Sequence, residues 1–278
     1  YLKKTLLHSF MTKNLILSAA VGYHFKQIEF FIKSLRKYYL EDVCFIIGQN
    51  DDDLETKLKK YNCEIIKTKI NKKKIQFKRY EIFLKYLKTK KFDNILLCDS
   101  RDIYFQAHPF EFNYKGPINF FLEDYLIKDC PYNSNWIIKV YGKNEFEKIA
   151  NKTILCSGTV LGKNEKIVEY LNLLKTNIAK FSYKKKLKYL LTFRVDPEER
   201  GCDQGHANYL VHKLKINDVS FYSNHKGPVA TAFYLNRIKF DKKFRLINKL
   251  GNPYLLVHQY DKRWDKFAKN VNSFRDNL

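Results

Sequence analysis

Two kinds of hydrophobic pattern alternate along the first third of the chain. Short apolar runs such as 43–48 are typical of buried strands, whereas apolar residues recur at helical spacing within 24–39. The predicted order is strand, helix, strand, helix, strand, helix and strand, over residues 14–22, 24–39, 43–48, 52–61, 63–70, 75–89 and 95–100. Because repeated β-α-β units with short connections form parallel sheets, this order predicts an α/β fold: a mostly parallel central sheet with helices on both faces.

The pattern after residue 105 is less regular. Strands are predicted over 118–123, 153–162 and 253–261, and helices over 165–181 and 202–214, with a charged, polar tail at the end. The run Lys184–Lys186 is interpreted as a solvated helix face. No Pro/Gly/Ser-rich linker and no internal repeat divides the sequence. We therefore expect one domain over 1–278 in two halves: an α/β half of the nucleotide-binding type (1–105) and a mixed half (106–278).

The composition of the chain indicates a large hydrophobic core and a strong positive charge. The chain has 278 residues, of which 45% are hydrophobic, and its formal net charge is +23. Such a charge indicates an anionic partner, namely nucleic acid, an acidic membrane surface or a phosphorylated substrate. An AT-rich coding sequence produces the same lysine-rich, glycine-poor bias whatever the function, so the charge does not choose between these partners.

The six cysteines indicate a reducing compartment. None forms a C-x-x-C pair, and several lie in apolar runs, where a reduced cysteine behaves as a small hydrophobic residue. No apolar run approaches the roughly 20 residues that span a bilayer, and no secretory signal peptide is visible. These observations predict a cytoplasmic protein.

Acidic residues stand where the fourth predicted strand stops. Asp99 and Asp102 follow the apolar run 95–98, with Arg101 between them. Ligands of open parallel sheets bind beyond the carboxyl ends of the strands, and two carboxylates there can hold a divalent cation that neutralises a diphosphate. Arg101 can bind a phosphate or carboxylate as a fork. The alternative is structural: Asp99 caps the next turn and Asp102 pairs with Arg101 on the surface.

Other phosphate-binding and catalytic motifs are missing. The sequence has no G-x-G-x-x-G after the first strand, no P-loop, no H-E-x-x-H and no G-x-S-x-G. A sheet that binds a nucleotide without a glycine-rich loop needs a metal ion to hold the phosphates, which is the logic of nucleotide-sugar transferases.

The chain resembles GT-A-type glycosyltransferases, in particular a group with a D-x-R-D-x-x-F-Q-x-x-P-F signature that includes bacterial and large-virus enzymes of surface-glycan synthesis. The stretch DSRDIYFQAHPF (99–110) carries the signature. Further stretches resemble the group's other motifs in order: NSNWI (133–137), ILCSGTVLG (154–162), CDQGHANYL (202–210) and LLVHQYD (255–261). The resemblance covers roughly 14–264.

The resemblance implies a GT-A-like fold and a metal-dependent transfer of sugar from a nucleotide-diphosphate donor, with UDP as the nucleotide, to a glycan or lipid-linked acceptor. It implies a metal site made of Asp99, Asp102 and His258. It also implies that 1–105 is the nucleotide-binding half and that 106–278 supplies the acceptor side and completes the metal site. Because an imidazole suits Mn²⁺ better than Mg²⁺, Mn²⁺ is the expected ion and Mg²⁺ the alternative. The D-x-x-D spacing leaves open which aspartate coordinates the ion directly, and a lone histidine at a strand end is more often structural.

Further residues are implied at the nucleotide-sugar site. Ser18, Ala19, Ala20 and Val21 are expected to seat the base and ribose, and Ser157 and Gly158 to lie below the sugar. Arg79 is expected to reach the diphosphate, and Asp99, Ser100 and Arg101 complete the nucleotide-sugar set, with one of Asp99 and Asp102 contacting the ribose or the metal. For 18–21 the alternative is a tight turn into a helix, and for Arg79 an exposed helix arginine.

Asp203 and Gln204 are the candidate catalytic residues. In an inverting transferase a carboxylate takes the proton of the acceptor hydroxyl, and Asp203 is the first candidate for that role, with Glu123 a weaker second. The alternative for Asp203 is helix N-capping. If the reaction retains configuration, Gln204 is expected near the anomeric carbon.

Two other functions remain as alternatives. A basic nucleic-acid-binding protein would use the lysines and aromatic residues of 72–88, but the apolar residues there fall on one helical side, and no nucleic-acid-binding motif is present. A nucleotidyltransferase would need an early glycine-rich, lysine-containing loop, which 18–25 does not resemble. Because lipid-linked acceptors sit on anionic membranes, the charge also predicts peripheral membrane association that weakens with salt.

Overall fold

The computed structural model describes residues 12–192, 201–213 and 216–278, and of 183–192 it describes the backbone alone. Its strands are β1 (Asn14–Ala19), β2 (Asp42–Gly48), β3 (Cys63–Thr68), β4 (Asn94–Cys98), β5 (Ile103–Phe105), β6 (Ile118–Leu126), β7 (Thr153–Lys163), β8 (Val219–Tyr222), β9 (Val229–Thr231) and β10 (Leu256–His258). Its helices are α1 (Phe25–Tyr38), α2 (Asp52–Lys59), α3 (Ile75–Leu87), α4 (Pro131–Tyr141), α5 (Lys143–Glu147), α6 (Asn164–Thr192), α7 (Cys202–Lys213) and α8 (Trp264–Asp276).

The central sheet has seven strands in the order β3-β2-β1-β4-β7-β6-β8. Within the described residues, β7 runs antiparallel to β4 and β6, and the other neighbours are parallel. The predicted α/β class and mostly parallel sheet are confirmed. The sheet combines β1–β4 from the first predicted half with β6–β8 from the second, so both halves share one sheet.

Helices cover both faces of this sheet, as predicted. Alternate residues of β1 point to opposite faces: Leu15 and Leu17 pack with α3, α6 and α7, whereas Ile16 packs with α1 and α2. The strand is buried on both sides and is therefore continuously apolar rather than alternating.

A second sheet of three strands, in the order β5-β10-β9, lies at the side of the first. The prediction of a strand over 253–261 was too long, because β10 covers only Leu256–His258. The predicted polar tail is wrong: 264–276 forms α8, which buries Phe267, Val271 and Phe274 in the core of the second sheet. Apolar residues at this spacing share one helix face, and that signal is present in the sequence.

The sequence patterns did not predict elements β5, β8, β9, α4 and α5. The backbone at 184–186 is helical, but the lysine side chains there lie outside the described residues, as do 1–11 of the expected 1–278 domain. None of the six cysteines, all of which the structure describes, forms a disulfide bond, and all are buried. Among the described helices, none is both long enough and apolar enough to cross a bilayer.

Candidate metal centre

Two chain segments meet at the carboxyl edge of the central sheet. β4 ends at Cys98, so the turn from Asp99 to Asp102 lies beyond that edge. β10 pairs antiparallel with β5, which places His258 opposite Ile103, the residue that follows Asp102. The backbone N–H of Gln259 also donates to the carbonyl of Asp102 at 2.8 Å. Strand pairing therefore brings the late histidine to the aspartates.

The three side chains form one cluster. Nε2 of His258 lies 3.6 Å from Oδ2 of Asp99 and 3.6 Å from Oδ1 of Asp102, and one ligand atom from each residue lies within 4.8 Å of the others. Ligand bonds to divalent cations are about 2.0–2.6 Å long, so atoms that share one ion lie within roughly 5 Å of each other. Two oxygens and one imidazole nitrogen therefore fit a single divalent cation.

Gly158 makes room for the cluster. This residue lies on β7, and its carbonyl accepts a hydrogen bond from the Asp99 N–H at 2.9 Å. A Cβ atom at this position would lie 2.4 Å from Cε1 of His258 and 2.7 Å from Oδ2 of Asp99. No side chain fits there, so the backbone of β7 forms one wall of the centre, where a donor-sugar floor was expected.

Arg79 links the cluster to α7. Its Nη1 donates to Oδ1 of Asp99 at 2.5 Å, and its Nη2 donates to Oδ2 of Asp203 at 2.9 Å. Burial opposes ionisation of Asp99, but Arg79 and His258 outweigh it and hold the pKa of that carboxyl well below its usual value. Arg79 is therefore a mostly buried bridge between two carboxylates, not an exposed helix arginine.

Asp203 is held on one oxygen by two donors. Both Nη2 of Arg79 and the hydroxyl of Tyr80 donate to its Oδ2 at 2.9 Å. The residue lies inside the first turn of α7, which begins at Cys202, and is almost fully buried. Its observed partners are thus side chains of α3, and its role as a base stays a prediction.

Gln204 connects α7 to the opposite wall of the site. Its Nε2 donates to Oε1 of Glu123 and to Oδ1 of Asn133, both at 3.3 Å, and its Oε1 accepts from the Ser157 N–H at 3.4 Å. Glu123 is buried, and burial raises its pKa to about 7 against the lowering effects of His258 and its hydrogen-bond partners. Glu123 and Gln204 therefore lie in one polar network beside Ser157, whereas Asp203 is bonded to Arg79 and Tyr80.

Arg101 holds two loops together. Its Nη1 donates to Oδ2 of Asp261 at 2.5 Å, and its Nη2 lies 3.4 Å from Oδ2 of Asp102. In this arrangement the guanidinium joins the turn after β4 to the segment after β10. The sequence alternative, a pairing with Asp102, is present but is the longer of the two contacts.

The first strand supplies the floor next to this centre. Ser18 and Ala20 are fully buried, and Ser18 Oγ donates to the Cys98 carbonyl at 2.8 Å. Ser100 Oγ donates to the Ala19 carbonyl, also at 2.8 Å. These bonds fix the turn after β4 against the end of β1.

An open pocket of about 470 Å³ lies at the same edge of the sheet, beyond the ends of β1, β2 and β3. Val21 and Gly22 contribute to its lining, with Asp51 from the start of α2 and two lysines of the loop after β3, Lys69 and Lys72. Of residues 18–21, Val21 is the one whose atoms line this pocket.

Sequence reasoning missed several contacts at the centre. Cys156, Asp261, Tyr80 and Gln259 were given no role, although Cys156 and Asp261 lie inside the motif stretches 154–162 and 255–261. Cys156 Sγ lies 3.1 Å from Nδ1 of His258, and burial raises the pKa of its thiol. Only the fold reveals which residue each of them contacts.

No protein-family model matches this chain, and no curated protein sequence matches it.

Proposed function

We propose that this chain is a metal-dependent glycosyltransferase with a GT-A-like fold, which moves a sugar from a nucleotide-diphosphate donor, a UDP-sugar, to a glycan or lipid-linked acceptor of surface polysaccharide synthesis. One observation carries the proposal: Asp99, Asp102 and His258 converge at the carboxyl edge of a parallel sheet. This edge is where open α/β sheets bind nucleotides.

The cluster supports a resident divalent cation. Asp99, Asp102 and His258 would hold Mn²⁺, or Mg²⁺ as the alternative, because carboxylates suit both ions and the imidazole favours Mn²⁺. When bound, the ion would neutralise the negative charge that develops on the leaving diphosphate. Arg79 lies against Asp99 and adds a fixed positive charge at the same place.

The adjoining pocket supports a nucleotide rather than an isolated metal ion. It lies at the same edge of the sheet as the metal centre, since β1 to β4 run parallel, and Val21 and Gly22 line it just after Ala19, whose carbonyl binds Ser100. Its volume of about 470 Å³ falls within the range of roughly 300–1,000 Å³ that is usual for small-molecule sites. Lys69 and Lys72 line this pocket with positive charge, which favours the binding of an anionic ligand.

On the other side of the centre, the polar network supports sugar and acceptor binding. Gln204 lies between Ser157 and Glu123, next to the glycine wall at Gly158. A transfer that inverts configuration needs a carboxylate to accept the acceptor's proton. Glu123 belongs to this network, and Asp203 precedes Gln204 on α7. Among the described residues no lysine or arginine pairs with Glu123, whereas Arg79 pairs with Asp203. We therefore propose Glu123 as a second candidate for the base, together with Asp203. The transferase activities of Glu123→Gln and Asp203→Asn will show which carboxylate matters more.

A thermal-shift screen of nucleotide sugars, with and without Mn²⁺, tests the function. A ligand at about 100 times its Kd stabilises a protein by about 2.7 kcal/mol, which is readily seen as a higher Tm. We expect the shift to need Mn²⁺, to disappear with EDTA, and to be lost in Asp102→Asn. Asp53→Asn, at an exposed aspartate on α2, is the matched control and is expected to behave as wild type. Stabilisation by UDP-sugars that persists in Asp102→Asn with EDTA would reject the metal role.

We further propose that the chain binds anionic membrane surfaces peripherally. The net charge of +23 supports this, since each lysine or arginine near an anionic surface adds about 1 kcal/mol. Flotation with liposomes that contain phosphatidylglycerol is expected to carry the protein at low salt and to release it at high salt. Absence of binding at low salt, or equal binding to neutral liposomes, contradicts this proposal.

A further inference from the structure

The imidazole of His258 lies against β7 along one edge. Cys156 and Gly158 are two residues apart on this strand, so both point to the same face. Gly158 lies beside Cε1 and Nε2 of the ring, and Cys156 Sγ lies 3.1 Å from Nδ1. One residue thus leaves space for the ring and the other contacts its second nitrogen.

A histidine that binds a metal ion through Nε2 carries its proton on Nδ1, and that N–H needs an acceptor. His258 is 2% exposed and Cys156 is fully buried, so bulk water does not reach this contact. Among the described side chains, the Cys156 sulfur is the hydrogen-bond partner of Nδ1. A sulfur atom accepts a hydrogen bond both as thiol and as thiolate, so the contact holds in either state.

We propose that Cys156 is a positioning residue of the metal centre: its sulfur accepts the Nδ1–H of His258 and so turns the unprotonated Nε2 toward Asp99 and Asp102. The inference rests on the metal role proposed above. The role assigned to this buried cysteine is in cation affinity. It requires no contact between Cys156 and the donor, the acceptor or the reacting atoms.

Mn²⁺ affinity of four variants tests the inference. Free Mn²⁺ is measured by electron paramagnetic resonance while each protein is titrated with Mn²⁺ alone. Loss of an outer partner of a metal-bound histidine weakens binding by about 10–100-fold, and we expect this for Cys156→Ala and Cys156→Val. Cys156→Ser keeps an acceptor in nearly the same volume and is expected to stay within about threefold of wild type. Cys44→Ala, at an equally buried cysteine on β2, is expected to match wild type.

The outcomes separate this inference from the proposed function. Circular dichroism shows whether the Cys156→Ala and Cys156→Val variants are folded. If the folded variants bind Mn²⁺ as tightly as the wild type, the positioning role is overturned but the metal centre is not. Equal losses in Cys156→Ser and Cys156→Val also overturn it, because they indicate packing rather than hydrogen bonding. Absence of Mn²⁺ binding to the wild type overturns both proposals.

Discussion

The guanidinium of Arg79 and the carboxylate of Asp203, which are 124 residues apart in sequence, form an ion pair at 2.9 Å with little solvent contact. The same guanidinium binds Asp99 of the metal cluster at 2.5 Å. A single cation on α3 therefore compensates one carboxylate in the centre and one on α7. This relationship leads to the first prediction.

Replacing Arg79 by methionine is expected to destabilise the fold by about 3 kcal/mol, because it leaves Asp203 buried without its cation. The measurement is the free energy of unfolding from urea denaturation. The double variant Arg79→Met/Asp203→Asn is expected to recover at least about 1 kcal/mol of this loss, since neighbouring groups in one network are not additive.

Lys78→Met is the control for that experiment. Lys78 precedes Arg79 on the same helix, is largely exposed and pairs with Glu81 on the surface. Its removal is expected to change stability by less than about 0.5 kcal/mol. An equal effect of both single variants, or no recovery in the double variant, would contradict the assigned ion pair.

Gly158→Ala is expected to abolish Mn²⁺ binding. The added methyl group would lie 2.4 Å from Cε1 of His258 and 2.7 Å from Oδ2 of Asp99, so these ligands must move apart. Isothermal titration with Mn²⁺ measures the loss. Gly251→Ala provides the contrast: this glycine has φ +84° but no atom within 4 Å of an added Cβ, so the variant is strained without touching the centre. Tight Mn²⁺ binding by Gly158→Ala would show that the wall at β7 is not as close as described.

Asp261→Asn is expected to lower Mn²⁺ affinity by up to about tenfold, as outer-shell changes do. Asp261 binds Arg101 and so ties the loop that carries Asp102 to the one that carries His258. The matched control is Asp241→Asn, which breaks a pair of similar exposure with Arg245 in a peripheral turn. Both variants are expected to lose stability, but only Asp261→Asn is expected to lose Mn²⁺ affinity. Equal Mn²⁺ affinity of the two variants would contradict the role of the Arg101–Asp261 pair.

Stability is expected to fall between pH 6.5 and pH 4 because of His206. This histidine is fully buried, its Nδ1 is paired with the Tyr141 hydroxyl at 2.7 Å, and burial lowers its pKa from 6.5 to about 4. Between these values the unfolded chain binds a proton that the folded chain does not, so the free energy of unfolding decreases as the pH falls. The shift corresponds to about 3 kcal/mol, fully lost below pH 4.

Urea denaturation of wild type and His206→Gln across this range isolates the contribution of His206. Glutamine keeps a hydrogen-bonding group for Tyr141 but does not titrate. The difference in stability between the two proteins is expected to narrow or reverse toward pH 4. Parallel pH profiles would contradict a neutral, buried His206.

Local patterns predicted most of the first half of the fold. Apolar runs predicted β1, β2 and β4, which are buried on both faces, and helical spacing predicted α1 and α3. The acidic start and basic end of 52–61 predicted α2. The segment 63–70 predicted β3, although most of that strand is only partly buried. The second half was harder. Elements such as β5 and β10 are three residues long, and short strands lack a pattern of their own because their pairing partner decides them.

The residues of the candidate site also differ in how far the sequence predicted them. Asp99 and Asp102 were found from their place after a strand, and His258 from a motif near the end of the chain. The contacts of Arg79, Cys156 and Asp261 were not found, since each partner lies at least 20 residues away and no local spacing encodes it.

The sequence by itself determined the α/β class and the position of the acidic turn, because strand burial and helix amphipathicity are properties of neighbouring residues. The tertiary structure decided which groups share one cation-sized space, since the pairing of β10 with β5 brings His258 to the aspartates. It also decided that Arg79 serves two carboxylates and that Cys156 faces the imidazole. These are contacts between distant segments, and the free energy of packing the whole sheet selects them.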